Sequence, residues 1–592
     1  MSLILRRTLV TIKPTIFQPK APLTKQSLTN LQTADLLQKL GFYNKTHSGL
    51  FHWLPLGLRS LNKLNNIITT TLTEDLNATP VSLSLLSPKS LWETTHRWNN
   101  TELFKLTDSK KAQYCLVATC EEDITQLMRQ YITSYKDMPL IVFQIGRKYR
   151  DEKRPRGGLL RGREFVMLDA YSFAADDSTA MELFDAVNGS FNKIFAKLKV
   201  PFVRAWADNG IIGGDVSMEY HFVHSSGEDT LFRCSNPECG HVSTLEKTEG
   251  LPIIPGQHNG DVDVRYALSG DHNTLICFYF PVSRELNWGN AREAVDNDLD
   301  FDLLELTNDK VLEIFRRDNP DMMFVNVLRV MDIRLNYRSN FPDFPLREYM
   351  KNNFAQIDGV PLVNAIDGDL CGKCEQGTLN GSRCIEVGHT FNLGTKYSVP
   401  LDVTFADRDN TTSKHVKMGC YGIGVSRVIA AIAEVMRDPY GFRWPSSISP
   451  YLVSLCSVPG TKGSALAEQV EAKLKGSTRL RGEVMSSFHD GMGLGSKIAL
   501  SHAIGIPLCI IVGPKTWPRV EIEVRGKRWG ESAKNPKWKS VYPSLRKVYQ
   551  WEVSEFPTTA SGNTEGSSPV QEKHLVSLEH LNDVVDIILD DI

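Results

Sequence analysis

The 592-residue chain is long enough for two to four domains, and its 41% hydrophobic and 23% charged composition is that of a globular protein, which excludes disorder throughout. With 67 Lys and Arg against 69 Asp and Glu the formal charge is -2, so the chain is not polybasic, and any attraction to nucleic acid must come from a local patch. No uninterrupted apolar stretch approaches the roughly 18 to 20 residues of a membrane-spanning helix, so no membrane partner is expected, and eleven cysteines are too sparse for a disulfide scaffold and indicate a reducing compartment.

In chain order, the first 34 residues carry Arg6, Arg7, Lys13, Lys20 and Lys25 and no acid until Asp35. That composition is expected of a mitochondrial presequence over residues 1–30, to be set apart from the fold, although Pro14, Pro19 and Pro22 also suit a plain disordered tail. From 31 to 245, helix spacing at Leu58 to Leu72 alternates with strand-like runs at Leu140 to Gln144 and Phe165 to Phe173. Residues 246–366 are more acidic, with Asp296, Asp298, Asp300, Asp302 and Glu305 clustered, and read as an inserted domain. In 367–445, strands are expected at Ile385 to Phe391 and Val399 to Val403 and an apolar helix at Ser426 to Met436, before a linker at Pro445 to Pro450. A small α/β domain with a parallel sheet is expected over 450–592, from runs at Tyr451 to Val458, Gly463 to Lys475, Ile498 to Ile504 and Leu508 to Val512. Residues 451–550 hold 16 Lys and Arg against 7 Asp and Glu, an excess that suits a polyanion such as RNA. A flexible linker at 557–568 and an amphipathic helix near His574 to Leu589 complete the chain.

The most informative stretch, Gly146-Arg147-Lys148-Tyr149-Arg150-Asp151-Glu152, then a basic loop, then Arg161-Gly162-Arg163-Glu164-Phe165, reads as strand, loop and returning strand. Two apart on a strand, Arg150 and Glu152 share a face, so one holds a phosphate while the other accepts from a base amine; alone, such a pair is more often a surface ion pair. A second signal, Gly419-Cys420-Tyr421-Gly422-Ile423-Gly424-Val425-Ser426-Arg427, is not a dinucleotide fingerprint, because Arg427 stands at the third glycine position. Gly422 and Gly424 instead let a strand-to-helix turn approach a ligand, and Arg427 supplies a cation near the helix start.

These blocks resemble a class II aminoacyl-tRNA synthetase, specifically the prolyl-tRNA synthetases of the bacterial and organellar type. Gly49 to Gly57 resembles motif one, Tyr149 to Phe173 motif two, Met418 to Arg427 motif three, and Glu386-Val387-Gly388-His389-Thr390-Phe391 through Ser398 the prolyl-specific block, with Thr119-Cys120-Glu121 beside it. The resemblance implies an α+β multidomain fold: an antiparallel-sheet catalytic domain, an inserted α/β domain and a C-terminal α/β anticodon-binding domain. It implies a ligase that joins L-proline to its tRNA through prolyl-adenylate, using ATP and Mg2+, as a homodimer in the mitochondrial matrix. Its alternative is a non-catalytic synthetase-like protein that binds tRNA or regulates another enzyme. By correspondence, Arg150 holds the α-phosphate, Glu152 reads the adenine amine, Phe165 stacks on adenine, Arg161 contacts phosphate and Arg427 takes the γ-phosphate. Thr119 and Glu121 receive the ammonium of proline, and His389 and Phe391 shape the ring pocket. Pro55 belongs to the dimer interface.

In bacterial relatives the insertion hydrolyses mischarged alanyl-tRNA; here Leu286 to Ala291 resembles that domain's catalytic neighbourhood, with Asn290 where the family has lysine, so a degenerate insertion is expected. Cys234-x4-Cys239 and Cys371-x2-Cys374 bracket the insertion and are either a structural zinc site or four ordinary thiols. Cys120 and Cys420 have no base beside them and receive no nucleophilic role. For anticodon bases the candidates are Trp517, Arg519, Arg525 and Trp529, the two tryptophans being equally suited to the core.

Overall fold

The computed structural model describes residues 14–21, 23–210, 212–300, 303–320, 325–344, 353–408, 413–489, 491–540, 543–555 and 572–592. Two compact units result, residues 1–202 with 392–592, and residues 203–391. The linker expected at 557–568 lies outside the described residues.

In the first unit the helix Pro55–Leu76 opens on a proline at its first turn and buries Leu61, Leu64, Ile68 and Leu72, the three-and-four spacing of one helix face. It packs on the helix Asp177–Lys197, whose start is capped by Asp176 accepting from Thr179 N at 2.8 Å. Three antiparallel strands lie side by side: Leu140–Tyr149, Glu164–Ala174 and Lys417–Ile423. Their register sets Gly422 opposite Asp169 and Lys148 opposite Phe165. The apolar helix Val425–Val435 follows directly from the third strand.

The C-terminal part of this unit is a six-stranded sheet around a core that includes Val453, Leu455, Leu508, Ile510 and Ile522. Only Val484–Met485, Val453–Ser457 and Leu508–Val512 are parallel; Arg519–Val524, Glu572–Ser577 and Glu552–Glu555 are antiparallel, so the sheet is mixed where a parallel one was expected. The stretch read as a helix from His574 begins as the strand Glu572–Ser577, and the helix is Leu581–Asp591. Alternation of Glu572, His574 and Val576 inward carries the strand period, which overrides the polar composition.

Two further expectations fail for physical reasons. Val399 to Val403 is a run of turns, because Leu401 N bonds Tyr397 O and Val403 N bonds Ser398 O; the strand is Thr404–Ala406. Pro445 to Pro450 is a buried corner, not a loose linker: Ile448 and Ser449 are fully buried, and Arg59 Nε donates to Pro450 O at 2.5 Å.

Residues 1–13 and 22 of the expected presequence lie outside the described residues. From Ile16 onward, however, the chain is part of the first unit. Gln18 is buried against Met485 and His489, and Arg437 Nη2 donates to Leu28 O at 2.6 Å and Leu31 O at 2.5 Å. A Cβ on Gly41, whose φ is +86°, would meet Phe17 O at 2.4 Å, so glycine is required where this segment crosses.

In the second unit the insertion is built on a four-stranded sheet ordered Val262–Leu268, Thr274–Pro281, Asn326–Asp332, Phe354–Val360. Thr274–Pro281 is buried along nearly its whole length, as a strand covered on both faces must be. Leu275, Cys277 and Tyr279 meet the helix Asn308–Asp318 on one side, while Ile276 and Phe278 join Ala291, Val295 and Leu299 on the other.

Candidate active site

Thr119 and Glu121 sit where a three-stranded sheet, Leu86–Pro88, Phe104–Thr107 and Gln113–Leu116, leads into the helix Glu121–Met128. Three acids in the first turn, Glu121, Glu122 and Asp123, suit the positive end of the helix dipole. Thr119 Oγ1 donates to both Glu121 oxygens at 2.5 Å, and Cys420 Sγ donates to Glu121 Oε1 at 3.1 Å. Arg97, buried between Trp92 and Tyr397, reaches Glu121 at 3.1 Å and Glu122 at 2.9 and 3.1 Å. Against the opposing effect of burial, Arg97, Thr119 and Cys420 hold Glu121 below the usual carboxylate range. Burial pushes Glu122 up to about 7, although Arg97 opposes it. Cys420 is raised well above its ordinary value by burial and by Glu121, and Cys120 is also raised by burial, so neither is a thiolate nucleophile.

A buried network fixes this loop from below. Lys148, on the strand Leu140–Tyr149, pairs with Asp169 at 2.6 Å. Asp169 also accepts from Gln144 at 2.8 Å and Tyr171 at 3.2 Å, and the Tyr171 oxygen accepts from Cys120 N at 3.1 Å. Arg97, Glu122, Gln144, Lys148, Asp169 and Tyr171 were not identified from sequence. The available signal was charge inside apolar strands, since Lys148 and Asp169 interrupt otherwise strand-like runs.

The basic hairpin differs from expectation in one respect. The strand ends at Tyr149, so Arg150 and Glu152 lie past it in a tight turn with Glu152 N bonding Arg150 O at 2.7 Å, and strand alternation does not set their faces. Arg150 N donates to Arg163 O at 2.9 Å, and its guanidinium stands 5.3 Å from the Phe165 ring centroid. Glu152 accepts from Arg161 Nε at 2.7 Å and from Arg154 N at 3.2 Å, which lower its pKa against burial. Arg427, in the first turn of its helix, donates from Nε to Leu160 O at 2.9 Å, and the next hydroxyl, Ser426 Oγ, accepts from Val166 N at 2.8 Å. Arg150, Glu152, Arg161, Phe165, Gly422, Gly424 and Arg427 thus belong to one hairpin and the strand and helix that adjoin it.

His389 and Phe391 are in the second unit, on the strand Leu379–Gly394, two apart on one face and stacked with centroids 3.8 Å apart. His389 Nδ1 lies 3.4 Å from Glu219 and 3.6 Å from Glu386, and Glu219 is 2.8 Å from the buried His221. Burial pushes Glu219 up to about 8.

The four cysteines converge although about 130 residues separate the pairs. Cys234, Cys239, Cys371 and Cys374 place their sulfurs within 4.8 Å of one another, and Cys234 and Cys374 are 3.7 Å apart. Asn236 N donates to Cys234 and Gly377 N to Cys374, each at 3.4 Å. A Cβ on Gly377 would stand 2.4 Å from Cys234 Sγ, so only glycine leaves room for the sulfurs. A tetrahedral zinc with Zn–S of about 2.3 Å needs sulfurs about 3.8 Å apart, and the cluster fits that ion.

Of the anticodon candidates, Arg525 is 1% exposed and bound bidentately to Asp438, so it does not face a ligand. Arg519 is engaged by Glu552 and the carbonyls of Gln550 and Leu575, and Trp517 packs on the sheet's core. Trp529 is half-buried beneath Lys527, 4.2 Å from its ring centroid.

The family described as "tRNA synthetase class II core domain (G, H, P, S and T)" matches residues 104–436. The chain is 52% identical over 580 residues to a probable mitochondrial proline–tRNA ligase of Saccharomyces cerevisiae, covering 97% of this chain and 98% of that one. It is 38% identical over 583 residues to a cytoplasmic proline–tRNA ligase of Candida albicans, covering 95% of each. A Cryptosporidium parvum prolyl-tRNA synthetase crystal structure with L-proline and AMP superimposes with a TM-score of 0.55 at 12% identity, over 95% of this chain and 79% of that one, which shows a shared fold. With a core match across more than half its length and these relatives across nearly all of it, the chain belongs to the class II prolyl-tRNA synthetases.

Proposed function

We propose that this enzyme joins L-proline to its tRNA in two steps, serving mitochondrial translation in the matrix. The observation that carries the reading is a buried carboxylate, Glu121, held ionised in the same unit as the Arg150–Phe165 pair and Arg427. Glu121 and Thr119 take the secondary ammonium of proline, which fixes its carboxylate. That carboxylate attacks the α-phosphate of ATP, pyrophosphate leaves, and the acyl group then passes to a hydroxyl of the terminal ribose of the tRNA as AMP leaves. No protein nucleophile is used, so catalysis is positioning and charge neutralisation, with Arg150 on the α-phosphate and Arg427 on the γ-phosphate. Phe165 stacks on adenine and Arg161 contacts phosphate. Glu152 reads the amine through whichever lone pairs Arg161 and Arg154 leave to it. The ring-pocket roles of His389 and Phe391 rest on the family resemblance alone. Mg2+ would enter with ATP and lower the charge of its phosphates.

Support for the matrix comes from the acid-free basic N-terminus and from the mitochondrial yeast relative. A homodimer, with Pro55 near its interface, follows the family resemblance. The test is ATP–pyrophosphate exchange with proline, alanine, cysteine and threonine, on protein lacking residues 1–13, because a cut at 30 would remove Gln18 and Leu28 from the folded unit. Exchange with proline that collapses in Arg427→Ala is the expected result. Folded protein that binds tRNA but exchanges no amino acid would establish the non-catalytic alternative.

The insertion is proposed to lack strong editing. Asn290 is buried, and its amide donates to Thr248 O at 3.2 Å and Pro361 O at 2.9 Å, so it braces backbone rather than meeting a substrate. Rapid deacylation of alanyl-tRNA by the purified enzyme would overturn this.

The four cysteines are proposed to hold structural zinc. One equivalent of zinc per chain is expected in freshly reduced protein, falling to near zero in Cys371→Ser, with earlier thermal unfolding of that variant; wild-type protein containing no zinc would overturn it.

A further inference from the structure

Charges around Glu121 do not balance. Among the described residues, Arg97 is the only cation ion-paired with both Glu121 and Glu122, and all three are nearly or fully buried. The other titratable groups facing them carry no compensating charge. From the same helix comes Asp123, pushed up to about 6 chiefly by burial; from the neighbouring strands come Cys115 and Cys420, and from the turn after residue 394 comes Tyr397, all three raised by burial. Lys148 is committed to Asp169. Thr95 Oγ1 donates to Glu122 Oε1 at 2.8 Å without changing the count.

We propose that Arg97 and Glu122 complete the receptor for the substrate's ammonium, as positioning residues that give the pocket one excess negative charge which bound proline neutralises. The inference rests on Glu121 as the group that accepts that ammonium. Two carboxylates sharing one guanidinium leave a buried charge of -1, a costly state in a low dielectric unless a cation arrives. With the pocket empty, a proton is that cation. It settles on Glu122, because Glu121 has Thr119 and Cys420 donating to it in addition to Arg97. Proline brings its own positive charge, so the proton leaves as it binds. Arg97 therefore does more than hold Glu121 in place: tied to both carboxylates, it couples the protonation of one to the occupancy of the other.

The sign follows from the direction of the shift. Glu122 is raised to about 7, so below that pH the group formed by Arg97, Glu121 and Glu122 is neutral in the empty pocket and proline must displace a proton. Above it the charge is already present. Proline KM in ATP–pyrophosphate exchange is thus expected to rise about tenfold between pH 8 and pH 6, as one linked proton on a group with a value of about 7 requires, with kcat and the KM for ATP changing much less. In Glu122→Gln the proline KM is expected to be flat across that range and no lower than the wild-type value at pH 6. A wild-type KM independent of pH, or a Glu122→Gln enzyme that keeps the wild-type slope, would overturn the proposal. Should Glu122→Gln fail to fold, calorimetric titration of wild-type enzyme with proline at pH 7, in buffers of different ionisation enthalpy, reads the same coupling. Release of about half a proton or more per proline supports it; no release overturns it. Glu121→Gln separates the two levels. If it leaves proline KM unchanged, the ammonium reading itself fails; if it abolishes exchange while Glu122→Gln keeps the slope, only the coupling fails.

Discussion

Arg150→Ala is expected to lower kcat for proline-dependent ATP–pyrophosphate exchange by roughly 10²- to 10³-fold, the usual loss when one preorganised donor to a developing charge is removed. The backbone of Arg150 is pinned by its N–H bond to Arg163 O, and its guanidinium lies over Phe165. Loss of the cation therefore leaves the hairpin in place and, on the proposed assignment, removes charge where the pentavalent phosphate would gather it. The KM for proline should move little, because the ammonium pocket is built from other residues. Arg150→Lys should recover only part of the loss, since a lysine keeps the charge but neither the planar fork nor the stacking. Exchange within a few-fold of wild type in Arg150→Ala would remove this residue from the phosphate site. Melting temperature serves as the control and should stay within a degree or two, the side chain being only partly buried.

Arg525→Ala should have the largest effect on stability, about 3 to 5 kcal/mol of the first unit's unfolding free energy. Arg525 and Asp438 are 1% and 4% exposed and joined by two charge-assisted bonds, with Arg525 Nε also reaching His502 O at 3.3 Å. Truncation leaves Asp438 buried without its partner, which is where most of the cost arises. The double variant Arg525→Met, Asp438→Leu should recover much of the loss, because it removes the orphaned charge as well as the pair. Urea unfolding of the three proteins checks this, and a single variant that costs less than about 1 kcal/mol would show the pair to be solvated. Acid should weaken the same contact. Arg525 holds the Asp438 carboxyl below its ordinary value against burial, so its contribution is complete above the unfolded-state value near 4 and fades as pH falls below the folded one.

What the sequence disclosed follows from the range of the forces involved. The strands of the motif-two hairpin and the helix Val425–Val435 were legible to within a few residues, because their apolar periods are local. Val399 to Val403 looked like a strand for the same reason, and its turns depend on hydrogen bonds that composition does not reveal. Arg150, Glu152, Arg161, Phe165 and Arg427 were identified by resemblance and do lie on adjoining elements. Arg97 and Glu122 escaped because the meaning of each depends on the other, 25 positions away, and on burial of both. Arg525 was misjudged for the converse reason: a basic residue in a basic segment suggested RNA, while Asp438, 87 positions earlier, had already claimed it. For the four cysteines, residue type announced the chemistry, but only the fold closed a gap of about 130 residues.

The first unit is assembled from the two ends of the chain, whereas the second is a continuous middle stretch, residues 203–391. Vectorial appearance of the chain, from a ribosome or through a translocation pore, therefore delivers the second unit whole while the first still waits for half of itself. The early half meets its partners late. Gln18 needs Met485, Arg59 and Lys63 need Glu483, and the strand Glu164–Ala174 gains its second sheet neighbour only with residues 417–423. Such separations raise contact order and slow closure. Nascent chains shorter than about 420 residues should thus present an exposed apolar Glu164–Ala174 strand edge, a substrate for chaperones rather than an enzyme in waiting.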